Sequence, residues 1–161
     1  MVPAIPISGE WFRCVSLRRD PLSFEGARLT GGRFSPVGEP ALYLAGTSTL
    51  AVAENLRLAN LYGVGRFPPR LLVTVEVTLS RIVDLRSEEV RRVAGIASED
   101  LASEWRCVSG SSRSQLLGIQ LIAEEYEGAI FPSAIEADAA NLVVFARNVD
   151  LGRALHVVGS D

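Results

Sequence analysis

The sequence predicts an α+β fold, in which a mixed or antiparallel central sheet carries flanking helices. Apolar stretches of strand length outnumber the helical patterns, and the two kinds follow each other without a regular β-α-β rhythm. Apolar residues make up 48% of the 161 residues and charged residues 22%, which is typical of a compact folded chain. We expect one domain over residues 1–161, with its core between about 11 and 146.

Composition excludes several classes of function. The net charge of −3 argues against a general nucleic-acid-binding protein. The apolar runs are too short to cross a membrane and the N-terminus lacks a signal-peptide layout, so we expect a cytoplasmic protein. Cys14 and Cys107 have no metal-ligand spacing and are interpreted as reduced, buried thiols. His156 lies in a terminal strand pattern, so neither a metal site nor Ser-His-Asp chemistry is expected.

The first strand is predicted at Trp11–Val15. It contains Arg13 among apolar neighbours, and a charged side chain is rarely buried without a partner. Arg13 is therefore either a solvent-facing arginine of an edge strand or a phosphate-facing cation. Residues 18–29 are polar and irregular, with Pro21 and Gly26, and are predicted to form a surface loop.

Two glycines precede Arg33. Gly31 and Gly32 let the backbone adopt unusual dihedral angles there, which allows close approach to a ligand. The stretch has neither the GxGxxG nor the Walker spacing, so a Rossmann or P-loop nucleotide site is excluded. A short strand predicted at Leu42–Ala45 follows and carries Tyr43.

The next element is a helix predicted from Ser48 to about Leu61, with Thr47 or Ser48 as a suitable N-cap residue. Its apolar residues recur at helical spacing, and Glu54 flanks that apolar face. Arg33, Tyr43 and Glu54 thus lie on three successive elements joined by short loops. Side chains held this way can share one cleft, which would suit a phosphorylated substrate that develops positive charge.

The rest of the chain contains five predicted strands and three predicted helices. The clearest strand, Arg70–Leu79, has one apolar and one mixed face, and each predicted helix begins near a serine. Pro132 ends one of the short strands and is followed by Ser133. The predicted strands are Arg70–Leu79, Ile82–Leu85, Ala129–Phe131, Asn141–Ala146 and Ala154–Val158, and the predicted helices are Ser87–Val93, Ser98–Trp105 and a helix capped within 111–114 that runs to about Tyr126 before Gly128.

Four segments together resemble the RES domain: GGRFSPVGEPALYLA, AVAENL, FPSA and NLVVFA. They occur in the family's order and spacing, from about residue 11 to 145. The family is named after an arginine, a glutamate and a serine, which the resemblance places at Arg33, Glu54 and Ser133. Tyr43 matches a tyrosine that the family carries on the strand after the arginine.

RES proteins are typically toxins of bacterial toxin–antitoxin pairs, with a fold similar to ADP-ribosyltransferases. The resemblance therefore implies a toxin that consumes NAD as its substrate by cleaving the nicotinamide–ribose bond, as a glycohydrolase or phosphorylase. It also implies an Xre-like antitoxin that blocks the cleft, in a toxin–antitoxin hetero-oligomer or beside a toxin homodimer. Two alternatives stay open: an ADP-ribosyltransferase that modifies a protein target, and a non-enzymatic module that binds a nucleotide or a partner.

Under this resemblance the expected catalytic residues are Glu54, Arg33 and Ser133, and Arg33, Tyr43, Arg13 and Ser133 are expected to bind NAD. Cleavage gives an oxocarbenium-like ribose that the Glu54 carboxylate can stabilise. The forked guanidinium of Arg33 suits a pyrophosphate or a ribose hydroxyl, with Arg13 as a second cation. Tyr43 can stack on nicotinamide. Ser133, without a histidine base, is expected to position the substrate by hydrogen bonding.

The chain departs from the family pattern at two points. Ser35 stands where many members have asparagine, so a hydrogen bond in that turn is expected to differ. Glu136 and Asp138 follow the FPSA segment, which puts in doubt a basic phosphate contact there.

Overall fold

A computed structural model describes residues 1–61, 63, 69–106 and 109–159. Within these residues the chain forms six strands, six α-helices and one 3₁₀ turn. Cys107, predicted from the sequence to be a reduced, buried thiol, lies outside the described residues. The strands are β1 (Ile5–Ser16), β2 (Ala41–Ala45), β3 (Arg70–Asp84), β4 (Gly128–Pro132), β5 (Ala140–Phe145) and β6 (Leu155–Val157). The helices are α1 (Glu25–Thr30), α2 (Ser48–Leu61), α3 (Glu88–Ala94), α4 (Ser98–Ala102), α5 (Arg113–Ala123) and α6 (Leu151–Ala154), and the 3₁₀ turn is Ala146–Asn148.

The six strands form one mixed sheet in the order β1-β2-β5-β4-β3-β6. All the pairings are antiparallel except β3–β4, which is parallel. β1 also pairs with β3, from Ile5 opposite Ile82 to Ser16 opposite Arg70, so that five strands close into a ring. The predicted α+β class with a mixed sheet and flanking helices is confirmed.

The ring is nearly open between β1 and β2. These two strands pair at one position, Phe12 opposite Ala45, whereas β2 pairs with β5 along its whole length. After Phe12 the chain stays paired with β3, but residues 13–16 have no partner in β2 among the described pairings. The cavity described below lies in this opening between β1 and β2.

The core lies on both faces of the sheet. Alternation buries one side of β3, including Val75 and Val77, and leaves Glu76 on the opposite side exposed. One cluster contains Phe34 and α5 residues, and a second lies along β3 and β5. A third, small cluster attaches α2 to the sheet; it consists of Ala45, Leu50 and Ala51.

Three sequence predictions need correction. The predicted loop 18–29 contains most of α1, a short helix closed by two hydrogen bonds from Arg28 to the Glu25 carboxylate, at 3.0 and 2.7 Å. The two strands predicted at 70–79 and 82–85 are one continuous strand, β3. The predicted helix 98–105 ends at Ala102, after which Ser103 is extended.

Other predictions hold. The helix predicted from Ser48 to about Leu61 spans Ser48–Leu61. Of the two candidate caps, Thr47 caps it through its hydroxyl, which accepts from the Leu50 N–H at 3.1 Å. Strands occur where the short apolar runs of the second half predict them, at β4, β5 and β6. Within the described residues, no helix combines the length and apolar character needed to cross a membrane.

Candidate active site

A cavity of about 700 Å³ lies in the opening between β1 and β2. Its walls are residues 12–16 of β1, residues 41 and 43–45 of β2, α1 with the turn after it, one face of α2, and residues 105–106. This volume is within the range of small-molecule sites. Arg13, Arg33, Tyr43 and Glu54, four of the five predicted site residues, line this cavity, and Ser133 is not among its lining residues.

Arg33 lies at the tip of a tight turn. The Gly32 N–H donates to the Ser35 carbonyl at 2.7 Å, and the Ser35 N–H donates back at 3.3 Å. One guanidinium nitrogen of Arg33, Nη1, donates to the carbonyls of Ser103 (2.9 Å) and Asp100 (3.4 Å). Burial lowers the pKa of this guanidinium, and the nearby Arg57 cation lowers it further. Arg33 is thus held by backbone on one side and keeps N–H groups for a ligand.

Tyr43 fixes this turn. Its hydroxyl accepts from the Phe34 N–H at 2.9 Å and shares a hydrogen bond with the Ser35 Oγ at 2.8 Å. Desolvation of the hydroxyl raises the pKa of Tyr43 to about 12. A Cβ at Gly32 would lie 2.5 Å from the Tyr43 hydroxyl oxygen, so glycine is required there by close packing. Ser35, the departure from the family pattern, is fully buried and takes part in this network.

Helix α5 supports the turn from below, a contribution that the sequence predictions missed. The Gln115 Nε2 donates to the Gly32 carbonyl at 3.0 Å, and its Oε1 accepts from the Ser112 N–H. A Cβ at Gly118 would lie 1.8 Å from the Phe34 carbonyl oxygen. An isolated glycine inside a helical pattern and a Ser-x-x-Gln capping box were the available signals.

Glu54 and Arg57 lie one turn apart on α2 and both line the cavity. The Glu54 Oε1 accepts from the Asn141 Nδ2 at 3.3 Å, and Asn141 is held in β5 opposite Ala45. Arg57 makes no hydrogen bond or ion pair with any residue that the structure describes. The carboxylate therefore has one neutral donor, and the neighbouring cation is available to a ligand.

Arg13 is half-buried, with its guanidinium donating to the carbonyls of Pro21 and Ser23, both at 2.8 Å. Burial lowers its pKa to about 10, and the Asp20 carboxylate opposes this shift, so Arg13 stays charged at neutral pH. Of the two interpretations left open by the sequence, the solvent-facing one does not fit this position. Arg13 is a cation of the cavity wall that also anchors the loop before α1.

Ser133 has a local role in the backbone. Its hydroxyl accepts from the N–H groups of Ile135 and Glu136, both at 3.1 Å, and its own N–H donates to Ala139 at 2.9 Å. The residue that lines the cavity at this point is the next one, Ala134. Ser133 therefore shapes the turn that brings Ala134 to the cavity.

The cavity carries an excess of positive charge. Of its described lining residues six are arginines and two are carboxylates, Asp20 and Glu54, although the whole chain has a net charge of −3. Aromatic side chains of Phe12, Tyr43 and Trp105 also line it. Such a surface attracts an anionic ligand that has a flat ring. No cluster of three or more His, Cys, Asp or Glu residues that could hold a metal occurs in the described part of the chain.

Cys14 and His156 do not contribute to this excess of positive charge. Cys14 is a free, half-buried thiol on the cavity wall, and burial raises its pKa while Arg70 acts in the opposite direction. His156 is exposed on β6, opposite Glu76, and does not line the cavity.

Comparisons with known proteins show which family this chain resembles in sequence and in fold. A family model described as the RES domain matches residues 10–160. NAD(+) phosphorylase MbcT, from Mycobacterium tuberculosis and from Mycobacterium bovis, is 28% identical over 137 residues, which cover 78% of this chain and 69% of MbcT. The crystal structure of the M. tuberculosis MbcT–MbcA toxin–antitoxin complex contains a chain that matches with a TM-score of 0.80 and 26% identity. This match covers 96% of the present chain and 83% of that one.

Proposed function

The chain belongs to the RES domain family, and from this premise we propose that it consumes NAD by cleaving the bond between nicotinamide and ribose. The observation that carries the proposal is the cavity itself, in which six arginines surround a single glutamate near the Arg33 turn. Its size and charge suit a dinucleotide with a pyrophosphate. The similarity to MbcT, whose name is NAD(+) phosphorylase, supports the same substrate.

Glu54 is the group proposed to act on the reacting bond. When the C1–N bond breaks, its electron pair stays on nicotinamide, which leaves as a neutral molecule, and the ribose develops positive charge. A preorganised carboxylate beside C1 stabilises that charge and is typically worth about 10²–10³ in rate. Asn141 donates to one carboxylate oxygen of Glu54 and so orients the group.

The remaining site residues are proposed to bind and position NAD. Arg33 offers a ribose hydroxyl the N–H groups that its backbone contacts leave free, and Arg13 supplies a cation for the pyrophosphate. The Tyr43 ring provides a flat surface for nicotinamide. Ser133 acts through the turn that it fixes, by holding Ala134 against the ligand.

Phosphate is proposed as the acceptor in preference to water. A water molecule must lose a proton when it attacks, whereas dianionic phosphate attacks without losing one. Histidine is absent from the described lining residues, and the carboxylates there are Glu54 and Asp20. A cavity with six arginines concentrates anions, which favours phosphorolysis.

We further propose that the chain is the toxin of a toxin–antitoxin pair in the bacterial cytoplasm, with an Xre-like antitoxin as its partner in a hetero-oligomer. The match to a toxin–antitoxin complex supports a protein partner. Leu29, Leu58 and Leu61 line the cavity and are also exposed, by 56%, 40% and 53%. An apolar rim around a cationic cavity suits an inserted acidic segment with apolar side chains.

The test is incubation of the purified protein with NAD, with and without inorganic phosphate, followed by product identification by mass. We expect nicotinamide and a phosphorylated ADP-ribose, and Glu54→Gln should lower the rate by about 10² or more. Glu99→Gln, the same change at an exposed position outside the cavity, is the matched control. A Glu54→Gln protein with wild-type turnover would contradict the role of Glu54.

Expression of the wild type and of Glu54→Gln in cells distinguishes NAD from a protein as the target of the toxin. Expression of the wild type should lower cellular NAD before growth stops, and Glu54→Gln should do neither. If growth stops while NAD stays level, modification of a protein target becomes the better explanation.

A further inference from the structure

Arg57 is placed to form an ion pair that it does not form. It follows Glu54 by three residues on α2, a spacing at which opposite charges usually attract on a helix surface. The Glu54 carboxylate instead accepts from Asn141, and Arg57 makes no hydrogen bond or ion pair with any described residue. A half-buried cation left free beside the proposed reacting group calls for an anionic ligand.

A second cation faces the same part of the cavity. Arg57 is close enough to Arg33 to disfavour its positive charge, an effect second only to burial. Two carboxylates act on Arg33 in the opposite direction, but Glu104 is paired with Arg106 at 3.1 Å and Glu54 accepts from Asn141. Two like charges without a bonded carboxylate between them are relieved by a dianion that contacts both.

Arg57 is also reachable from outside. It also lines a second, shallow groove of about 470 Å³, together with Leu56, Asn60, Leu61 and Ile135. Arg57 thus borders two surfaces, the main cavity and this groove, and the groove gives a small anion a second approach to it.

We propose that Arg57, together with Arg33, binds the inorganic phosphate that attacks the ribose, and so determines that phosphate is used in preference to water. This inference rests on the proposed function. In the reaction a phosphate oxygen forms the new bond to C1 as the C1–N bond breaks, and the bond's electron pair leaves with neutral nicotinamide. Dianionic phosphate keeps its proton and becomes the ribosyl phosphate ester, so no base is required.

The experiment measures the kinetics of Arg57→Gln against phosphate and against NAD separately. We expect the KM for phosphate to rise by about 10-fold or more, the size of a lost charge-assisted hydrogen bond. The KM for NAD should stay within about twofold of the wild-type value, because the substitution removes no group proposed to bind the dinucleotide. The products should shift toward ADP-ribose formed with water. Arg57→Lys should recover part of the phosphate affinity, and Arg92→Gln, an exposed arginine of α3 outside the cavity, is the control.

An unchanged phosphate KM would overturn the inference. So would a rise in the KM for NAD alone, because Arg57 would then bind the substrate's own pyrophosphate. Calorimetric titration of inorganic phosphate into the NAD-free protein supplies a readout that does not need turnover. If the wild type consumed no NAD, the proposed function would fail, and equal phosphate binding by wild type and Arg57→Gln would separately overturn the role of Arg57.

Discussion

The two walls of the cavity are built on opposite principles. In the turn from Gly32 to Ser35, backbone groups and the Ser35 hydroxyl find partners within the protein, through Tyr43 and Gln115, while the Arg33 guanidinium keeps N–H groups for a ligand. On α2, Glu54 has one neutral donor, and Arg57 makes no hydrogen bond or ion pair within the described residues. The first wall is thus fixed before a ligand arrives, and the second keeps its charges for the ligand.

This difference predicts which property each wall controls. A buried polar group that loses its partner costs the full desolvation penalty, so changes in the turn should appear in the free energy of unfolding. Half-exposed charges without partners contribute little to folding, so changes on α2 and beside it should appear in the reaction rate. Three substitutions test this separation, beginning with the largest expected effect.

Gly118→Ala should be the most disruptive. The added Cβ would lie 1.8 Å from the Phe34 carbonyl oxygen. A Cβ and a backbone oxygen cannot turn aside as a flexible side chain can, so the helix or the turn must move. We expect a loss of about 3 kcal/mol in the free energy of unfolding, measured by urea denaturation, together with loss of NAD cleavage. Gly152→Ala is the matched control, because a Cβ there meets only the Asp150 Oδ1, at 3.6 Å. Equal free energies of unfolding for the two variants would contradict the conclusion that α5 supports the turn.

Tyr43→Phe should have an intermediate effect. It leaves the Phe34 N–H without its acceptor, and we expect a loss of about 1–3 kcal/mol in the free energy of unfolding. The wild type should also lose stability as pH rises from about 10 to 12, because Tyr43 ionises near 10 when unfolded and at about 12 when folded. The unfolded state then binds fewer protons, so the free energy of unfolding falls with pH. Denaturation at several pH values should show this fall reduced in Tyr43→Phe; an equal fall in both proteins would place the titration elsewhere.

Asn141→Ala should have the smallest effect on stability. It removes a 3.3 Å hydrogen bond to a partly exposed carboxylate, which is worth less than about 1 kcal/mol. The rate of NAD cleavage should fall by about 10-fold, because Glu54 loses the donor that orients it. Steady-state kinetics and melting of the same preparation give both numbers. A marked loss of stability with an unchanged rate would reverse the comparison between the walls.

Local sequence was sufficient for most of the fold. Helix α2 could be predicted closely, because Thr47 and Ser48 are both suitable caps and its apolar residues recur at helical spacing. The break predicted within β3 shows the limit. The N–H groups of Ser80 and Arg81 donate to the Glu127 carboxylate, a partner more than forty residues away that no local pattern reveals.

The site shows the same division. The residues near each other in the chain, Arg33, Tyr43 and Glu54, could be placed at one cavity from short loops alone. Gln115 could not, because its contact with Gly32 spans 83 residues. The roles of these residues toward a substrate remain predictions that the experiments above test.

The single pairing of Phe12 with Ala45 has a mechanical consequence. Beyond it, residues 13–16 of β1 and 41–44 of β2 do not pair with each other among the described residues. At about 3.3 Å per strand residue, the far ends of these segments lie roughly 13 Å from the pair. Any change in the angle between the two strands would therefore alter their separation least at Phe12 and most at Ser16. The width of the cavity at that end is set without hydrogen bonds between β1 and β2 in the described part of the chain.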